Sequence, residues 1–415
     1  MSEGQRTITV NGRSYAWPGQ PVVVVCIDGS QPEYIDQAIA AGRMPYLEKA
    51  LAAGTSRLAD CVLPAFTNPN NISIVTGVPP RVHGISGNFF FDPDSGEEIM
   101  MNEPHLLRAE TIFSAFAAEG AKIAIVTAKD KLRRLLGHGL SFGESGHICF
   151  SSEKADSVTP AENGISGVLE LVGQPLPSVY SAELSEFVFA AGVKQLAGQR
   201  PDLMYLSTTD YVQHKHGPGT PVANDFYAMM DGYLDKLDAL GATLAMTADH
   251  GMNDKFGPGG EPDVIYLQDV LDEWLGTGAA RVILPITDPY VVHHGALGSF
   301  ATAYLPAGCD VAGLTERLRA LEGMELVLGK SEGCARFELP EDRLGDLILV
   351  SGKHKVLGTS VSRHDLSALE EPLRSHGGLS EQRVPLLLNR PTPGLEEGRA
   401  LRNFDAFDLA LNYAR

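Results

Sequence analysis

The chain has 415 residues, of which 44% are hydrophobic and 20% are charged, and its formal net charge is −19 at pH 7. This composition is typical of a globular protein and excludes disorder of the whole chain. An acidic protein repels phosphate backbones and anionic lipid, so the charge argues against nucleic-acid and membrane-surface partners.

Short apolar runs alternate with helical patterns over the first 256 residues. The apolar run at 21–27 predicts a buried strand, and the following segment, 31–53, predicts a helix. Further strands are predicted at 59–63, 122–127, 147–150, 202–207 and 243–247, with helices at 70–76, 111–119, 181–196 and 225–240. This alternation predicts right-handed crossovers and an α/β fold with a mostly parallel sheet that carries helices on both faces.

The pattern changes after residue 256. Strands are predicted at 281–286, 300–305, 325–328 and 346–350, around one helix at 311–321. The parallel pattern is expected to resume near His376, with a strand at 385–388 and a closing helix at 404–413. The sequence therefore predicts an α/β core formed by residues 1–256 and 370–415, and a smaller α+β cap formed by residues 257–369.

Polar side chains follow several of the predicted strands. In chain order they are Asp28, Thr67, Asp210 with His214 four residues on, Asp249 with His250, and His376 before the last strand. Ligands of open parallel sheets bind at the carboxyl ends of the strands, so we expect these side chains to lie together. Such a set suits Zn²⁺, with Mn²⁺ or Fe²⁺ as substitutes, and fills two adjacent four-coordinate sites with one position open. Two metal ions about 3.5–4 Å apart can clamp both sides of a phosphoryl group.

Each of these residues also has an ordinary structural explanation. An aspartate at a strand end is commonly a helix cap, and Asp210 with His214 could be a surface pair. Thr67 or Asn68 is expected to be the N-cap of the helix at 70–76. If Thr67 is functional, it is a nucleophile at a helix N-terminus, where free N–H groups favour an incoming anion. A threonine hydroxyl needs activation, and because no lysine or histidine is close in sequence, metal ligation would have to supply it.

The segment from Thr67 to Gly77, with Asn88 and the Phe-Asp-Pro that follows, resembles the nucleophile region of the alkaline phosphatase superfamily, and most closely its nucleotide pyrophosphatase/phosphodiesterase branch. The strand-end residues complete that pattern in the expected order. The resemblance implies that one Zn²⁺ is held by Asp210, His214 and His376, and the second by Asp28, Asp249, His250 and Thr67. It also implies that Asn88 and a backbone N–H near Thr67 form an oxyanion site.

Lys129 and Lys131 follow the predicted strand at 122–127. Alone they would be a solvated helix start, but in so acidic a chain they indicate an anion site. They resemble the lysines that hold the substrate carboxylate in the phosphonoacetate-hydrolysing members of the superfamily. The resemblance implies a small anionic phosphonate substrate and cleavage of its carbon–phosphorus bond through a phosphothreonine at Thr67. The lysines would stabilise a carboxylate that gains charge as the leaving enolate forms.

Three other functions are compatible with the same residues. A phosphodiesterase or nucleotide pyrophosphatase would need an apolar slot for a base, which Phe89, Phe90 and Phe91 could form. An isomerase similar to the metal-dependent phosphoglycerate mutases would also carry an inserted domain, although typically with a serine nucleophile and more basic residues. A protein that binds a ligand on this fold without catalysis is the third. His293 and His294 could contact substrate or lie in a solvated turn, and we do not include them among the candidate site residues.

The sequence also gives expectations about the compartment. The first twenty residues are polar, and the longest apolar run is far shorter than a membrane helix requires. The five cysteines are widely spaced without a CxxC motif, which predicts reduced thiols. We therefore expect a cytoplasmic protein without a membrane partner. The sequence leaves open whether the chain forms a homodimer.

Overall fold

A computed structural model describes residues 6–286, 296–367, 369 and 371–415. His293 and His294 lie outside the described residues. In chain order the strands are β1 (Thr7–Val10), β2 (Arg13–Ala16), β3 (Val22–Cys26), β4 (Thr55–Asp60), β5 (Phe89–Asp92), β6 (Glu97–Met100), β7 (Ile123–Thr127), β8 (Ile148–Ser151), β9 (Leu203–Ser207), β10 (Thr243–Thr247), β11 (Asn253–Asp254), β12 (Val264–Tyr266), β13 (Arg281–Ile283), β14 (Phe300–Tyr304), β15 (Met324–Gly329), β16 (Leu347–Ser351), β17 (Val356–Gly358), β18 (Arg374–Ser375) and β19 (Arg383–Leu388).

The α-helices connect these strands and cover them. They are α1 (Pro32–Ala40), α2 (Pro45–Ala53), α3 (Thr67–Thr76), α4 (Pro80–His83), α5 (Ile112–Ala118), α6 (Asp130–Leu136), α7 (Pro160–Asn163), α8 (Val168–Val172), α9 (Glu183–Gly198), α10 (Tyr211–Lys215), α11 (Pro221–Ala239), α12 (Leu267–Leu275), α13 (Val311–Arg319), α14 (Lys330–Phe337) and α15 (Ala406–Asp408). A 3₁₀ turn at Asn403–Asp405, α15 and a π-helical turn at Leu409–Tyr413 replace the single closing helix predicted at 404–413.

The largest sheet among the described residues has seven strands, in the order β4-β19-β10-β3-β9-β7-β8. β10, β3, β9, β7 and β8 pair in parallel. Alternate residues of β3 enter different core clusters, Val22 and Val24 on one face and Val23 and Val25 on the other. Because both faces are covered, these central strands are continuous apolar runs. The predicted α/β fold with a mostly parallel sheet is confirmed.

The sequence predicted that the last strand would continue the parallel pattern, and this prediction is wrong. β19 runs antiparallel to both of its neighbours, β10 and β4. The chain leaves the sheet after β10 at its carboxyl edge and returns to that same edge through His376. Only a few residues separate His376 from β19, too few to cross the sheet and enter from the other side, so the strand runs in the opposite direction.

Two other elements differ from the prediction for local reasons. The helix expected at 31–53 is two helices, because the chain turns at Gly42, with φ of +69°, and Pro45 begins α2. The strand expected at 59–63 is β4, which spans Thr55–Asp60. β4 is an edge strand with alternating exposed and buried side chains, so a search for continuous apolar runs places it too late.

The segment predicted as a cap contains its own sheet. Strands β13, β14, β16 and β15 form a four-stranded antiparallel sheet in that order, with α12, α13 and α14 in the same part of the chain. The division into a core of residues 1–256 and 370–415 and a cap of residues 257–369 stays a prediction. No helix among the described residues is long and apolar enough to cross a membrane. The five cysteines are free, and four of them are buried, whereas Cys309 is half-buried.

Near the end of β11, a fully buried ion pair joins the two chain segments that form the predicted core, one before and one after the predicted cap. Lys255 Nζ lies 3.0 Å from Glu381 Oε1 and donates a hydrogen bond to the carbonyl of Lys353 at 2.7 Å. Burial alone would raise the pKa of Glu381, but Lys255, Ser380 and Asn253 lower it. Burial lowers the pKa of Lys255. Each charge is therefore tolerated in the interior only because the other is present.

We expect Glu381→Gln to destabilise the protein strongly, because it leaves the Lys255 charge buried without a partner. The free energy of unfolding, measured by urea denaturation, should fall by about 3–5 kcal/mol. The matched control is Glu119→Gln, which removes a half-exposed pair with Arg6 and should cost less than about 1 kcal/mol. Equal losses in the two variants would contradict the role given to this buried pair.

Candidate active site

The predicted ligand residues meet at the carboxyl edge of the large sheet. Asp28 lies just beyond β3, Asp210 just beyond β9, and Asp249 with His250 just beyond β10. Gly29 permits the close approach of the first two loops. Its φ is +71°, and a Cβ at this position would lie 3.0 Å from the Cβ of Asp210. The sequence therefore brings these carboxylates together partly by the absence of a side chain.

The three histidines are anchored in the same way. His214 Nδ1 donates to the Arg374 carbonyl at 2.8 Å, His376 Nδ1 to the Ala65 carbonyl at 2.7 Å, and His250 Nδ1 to the Gly251 carbonyl at 2.9 Å. A carbonyl can only accept, so each Nδ1 carries a proton and each Nε2 faces the acidic residues. His214 Nε2 lies 2.9 Å and His376 Nε2 3.7 Å from Asp210 Oδ2. The hydrogen bond from Nδ1 to a carbonyl is the usual way in which proteins orient the opposite nitrogen of an imidazole toward a metal ion.

Burial and neighbouring charges shift the pKa values of the clustered carboxylates. Burial, together with the carboxylates of Asp210 and Asp249, raises the pKa of Asp28 well above its usual range. Burial also raises the pKa of Asp249. Burial would raise the pKa of Asp210 too, but His214, His376 and His250 lower it well below its usual range. Burial opposes a charge on His250, yet Asp249, Asp28 and Asp210 raise its pKa to about 10. A cation at this position would relieve the repulsion among the three acids.

The donor atoms fit metal ions. Asp28 Oδ1 and His250 Nε2 are buried and lack hydrogen-bond partners among the described residues, although they lie 3.2 Å apart. Ligand atoms of Asp210, His250 and His376 lie within 4.8 Å of one another, as do those of Asp28, Asp249 and His250. His250 belongs to both groups, and its ring stacks on that of His376 with centroids 3.6 Å apart. The assignment of His250 to the second ion alone stays a prediction.

Thr67 lies at the start of α3, beside this cluster. The N-cap of the helix is Phe66, so Thr67 is the first helical residue and neither it nor Asn68 is the cap that the sequence predicted. Phe66 takes this position because its backbone is extended and its ring packs against the loop after His376. Gly377 allows that contact, since a Cβ there would lie 2.4 Å from the ring, and its φ is +121°. The Thr67 side chain is half-buried.

Asn88 is tied to the start of the same helix. Its side-chain oxygen Oδ1 accepts a hydrogen bond from the backbone N–H of Asn68 at 3.1 Å. The N–H of Asn68 is therefore already engaged, and the oxyanion role of Asn88 stays a prediction. The backbone N–H of Asn88 donates to the Pro285 carbonyl at 2.8 Å, so the predicted cap helps to fix this residue.

One cavity of about 120 Å³ connects these groups with the two lysines. Of the residues predicted from the sequence it is lined by Asp28, Thr67, Asn88, Lys129, Lys131, Asp210, His214 and His376. Asp249 and His250 are fully buried and do not line it among the described residues. Lys129 is half-buried at the start of α6 and Lys131 is exposed. Asp130 between them accepts hydrogen bonds from Arg133 Nε at 2.6 Å and Ser151 Oγ at 2.9 Å.

Sequence analysis missed about half of the residues that line this cavity. They are Asn68, Met100, Asn102, Thr127, Leu132, Thr208, Thr209 and Ile286. Thr208 and Thr209 directly follow β9, so the strand-end rule could have found them. Met100 and Asn102 lie at the end of the β5–β6 hairpin and Ile286 follows β13. No local pattern marks these three, because only tertiary packing brings them to the cavity.

The three phenylalanines do not form a slot at the site. Phe90 is buried in the core, and the Phe91 ring packs edge-on against Tyr304 with centroids 5.0 Å apart. Phe89, Phe90 and Phe91 are all absent from the described residues that line the cavity. The apolar slot that a nucleotide base would need is therefore not formed by these rings. The cavity is also small beside the roughly 300–1,000 Å³ of typical pockets for larger ligands.

Comparisons with known proteins identify the family and the fold. The sequence profile of the type I phosphodiesterase / nucleotide pyrophosphatase family matches residues 22–378. The crystal structure of phosphonoacetate hydrolase from Sinorhizobium meliloti 1021 in complex with phosphonoacetate is 61% identical and superposes with a TM-score of 0.97. That match covers 99% of this chain and 100% of the other. Murine ectonucleotide pyrophosphatase / phosphodiesterase 5 shares the fold, with a TM-score of 0.64, 18% identity and coverage of 95% of this chain and 96% of the other.

The curated relatives are much longer than the matched segments. An ectonucleotide pyrophosphatase/phosphodiesterase of Caenorhabditis elegans is 35% identical over 103 residues, which is 23% of this chain and 13% of that protein. Family member 1 of Rattus norvegicus is 27% identical over 246 residues, which is 56% of this chain and 24% of that protein. The chain thus matches less than a quarter of the length of either relative.

Proposed function

The chain belongs to the type I phosphodiesterase / nucleotide pyrophosphatase family of the alkaline phosphatase superfamily, and within it we propose that this enzyme hydrolyses phosphonoacetate to acetate and phosphate. The observation that carries the proposal is the placement of Lys129 and Lys131 in the same cavity as Thr67 and the acidic cluster. The near-complete match to phosphonoacetate hydrolase of Sinorhizobium meliloti supports it. A hydrolase of a carboxylated phosphonate needs both ends of this cavity, since one end must bind phosphorus and the other a carboxylate.

We propose two Zn²⁺ ions as cofactors, with Mn²⁺ or Fe²⁺ as substitutes. Asp210, His214 and His376 would hold one ion, and the second would be held by Asp28, Asp249, His250 and Thr67. Bound metal ions neutralise the phosphonate oxygens and lower the pKa of a hydroxyl group and of water. The buried polar atoms Asp28 Oδ1 and His250 Nε2 support this assignment, because they lack hydrogen-bond partners among the described residues and such atoms are otherwise costly.

The reaction has two steps at Thr67. Thr67 Oγ attacks phosphorus and loses its proton to water, the oxygen–phosphorus bond forms, and the carbon–phosphorus bond breaks. The electron pair of the broken bond enters the carboxylate, so acetate leaves as its enolate, whose carbon then takes a proton from water. Water hydrolyses the phosphothreonine, which releases phosphate and restores the hydroxyl. The Nδ2 of Asn88 would donate to the phosphoryl oxygens as charge develops.

The lysines answer the main chemical difficulty, which is that carbon leaves poorly as a bare carbanion. Delocalisation into the carboxylate places a second negative charge there in the transition state. Lys129 and Lys131 would bind the carboxylate more strongly in that state than in the ground state. Only such differential stabilisation raises turnover.

Two other reactions on the same scaffold are separated by their products. A phosphodiesterase would release an alcohol from a diester and would not need the lysines. A mutase-like isomerase would move the phosphoryl group within its substrate and release no free phosphate. Family membership favours diester hydrolysis as the second candidate, and the positions of Phe90 and Phe91 away from the cavity disfavour a nucleotide substrate.

The test is phosphate release by the purified, zinc-loaded protein. We expect fast release from phosphonoacetate, slow turnover of bis-p-nitrophenyl phosphate, and loss of both activities after chelation, with recovery when Zn²⁺ is restored. Chelator-resistant activity would contradict the metal site. Turnover of the diester alone would contradict the phosphonate substrate while leaving the site itself in place.

A further inference from the structure

Asn71 makes a complete set of hydrogen bonds behind the nucleophile. It lies one turn after Thr67 in α3 and is fully buried. Its Nδ2 donates to the Thr67 carbonyl at 3.0 Å and to Asp249 Oδ2 at 3.1 Å. Its Oδ1 accepts from Tyr205 OH at 2.7 Å and from Ser207 Oγ at 3.0 Å. Both donors and both acceptor positions of the amide are therefore used.

The chemistry of the partners fixes the orientation of this amide. A backbone carbonyl only accepts hydrogen bonds, so the NH₂ group must face the Thr67 carbonyl, and in that orientation it also reaches Asp249 Oδ2. The two hydroxyls can donate and therefore face the oxygen. Rotating the amide by half a turn would place its oxygen against the Asp249 carboxylate. The side chain thus has one acceptor face toward β9 and one donor face toward the site.

The donor face connects two functional elements. Asp249 Oδ1 accepts from the backbone N–H groups of Gly29 and His250, at 3.3 Å and 3.0 Å. Asn71 holds the other oxygen, so both carboxylate oxygens are fixed in place. The same NH₂ group holds the carbonyl of Thr67. Asn71 therefore sets the distance between the start of α3 and a proposed metal ligand.

We propose that Asn71 is a positioning residue that keeps the Thr67 hydroxyl in register with Asp249, an inference that rests on the role given to Thr67 in the proposed function. Asn71 does not line the cavity among the described residues, so it acts through these two groups rather than on substrate. The acceptor face anchors it to β9, a central and fully buried strand of the sheet. A rigid strand, a buried amide and the nucleophile helix thus form one connected unit.

The expected consequence is a loss of turnover without a loss of substrate affinity. Asn71→Ala should lower kcat for phosphonoacetate by about 10–100-fold and weaken Zn²⁺ binding by a similar factor, the range seen for residues that orient metal ligands. KM should change little, since Lys129, Lys131 and Asn88 are untouched. The affinity for Zn²⁺ is measured on the metal-free protein by calorimetric titration, so this readout does not depend on activity.

Two further variants separate positioning from mere packing. Asn71→Asp keeps the oxygen that faces Tyr205 and Ser207 but replaces the donor face, so it should also lose kcat. Ser73→Ala is the matched control, because it removes one buried hydrogen bond of the same helix, between Ser73 Oγ and His83 Nε2 at 2.8 Å, and leaves every contact of Asn71 in place. Its kcat should stay close to that of the wild-type chain. Thermal melts of all variants show whether each is folded.

Each outcome decides the inference. Loss of kcat in both Asn71 variants, with wild-type turnover in Ser73→Ala, supports it. Equal losses in Asn71→Ala and Ser73→Ala, or full kcat in Asn71→Asp, overturn it. If the wild-type chain releases no phosphate from phosphonoacetate, the proposed function fails and the Zn²⁺ titrations decide alone. Unchanged Zn²⁺ affinity in folded Asn71→Ala would then overturn the inference.

Discussion

Thr67→Ala is expected to abolish phosphate release from phosphonoacetate, with a fall in kcat of roughly 10⁴–10⁶-fold, as when other nucleophiles are removed. Thr67 is the first residue of α3 and lines the cavity beside Asp28, Asp210 and His376. Without its oxygen no phosphothreonine forms. If water attacked phosphorus directly in place of Thr67, this small cavity would have to hold that water molecule together with the substrate.

Two controls isolate the hydroxyl. Thr67→Ser keeps the oxygen and should retain much of the turnover, losing only the methyl group that limits side-chain rotation. Thr76→Ala changes the other end of the same helix, where the hydroxyl donates to the Ile72 carbonyl at 2.6 Å, and should keep full turnover. Metal content, measured by elemental analysis, should match the wild-type chain in Thr67→Ser and Thr76→Ala and stay largely intact in Thr67→Ala, which keeps the other proposed ligands.

Other hydroxyl groups in the cavity make this result informative. Thr208 and Thr209 also line it, but Thr208 Oγ1 already accepts from the backbone N–H of Asp28 at 2.9 Å. Substantial turnover in Thr67→Ala would indicate that Thr208 or Thr209, and not Thr67, is the nucleophile. Trapping the phosphorylated chain with a slow substrate and mapping the modified peptide would identify which.

The strand-end residues were predictable because two local rules act together. Continuous apolar runs such as Val22–Cys26 mark central strands, and parallel strands present their carboxyl ends at one edge. Asp28, Asp210 and Asp249 each follow such a run directly, so their meeting required no knowledge of packing. No such rule marked Met100, Asn102 or Ile286, which also line the cavity.

The remaining features depend on contacts between distant parts of the chain. Nothing near Arg374 in the sequence indicates that its carbonyl anchors His214, since this depends on how β18 pairs with β11. The direction of β19 follows from where the intervening segment returns to the sheet. Asn71 had only the helical periodicity of α3 to place it, and its role becomes visible only when Tyr205 and Asp249 are seen around it.

Lys129→Ala and Lys131→Ala should each lower kcat for phosphonoacetate by about 10²–10³-fold, the range measured when one donor to a developing oxyanion is removed. The carboxylate of this substrate accepts the electron pair of the broken carbon–phosphorus bond. Its charge therefore grows in the transition state, where a neighbouring ammonium group gains most. Loss of either lysine removes that gain and affects turnover more than KM.

The substrate provides the sharpest control for this prediction. Bis-p-nitrophenyl phosphate has no carboxylate and expels a stable phenolate, so both variants should hydrolyse it at nearly the wild-type rate. Lys122→Ala is the matched variant, because Lys122 is exposed and lies directly before the same strand, β7. Its turnover should match the wild-type chain with both substrates.

A comparison of the two substrates separates a chemical role of the lysines from a purely electrostatic attraction of anions. A general field effect would slow both substrates alike and would weaken as salt is added, since exposed charges are screened over a Debye length of about 10 Å at 0.1 M. A role at the carboxylate affects phosphonoacetate alone and persists at high ionic strength. Parallel losses with both substrates would therefore reject the enolate argument, even if the lysines proved necessary for activity.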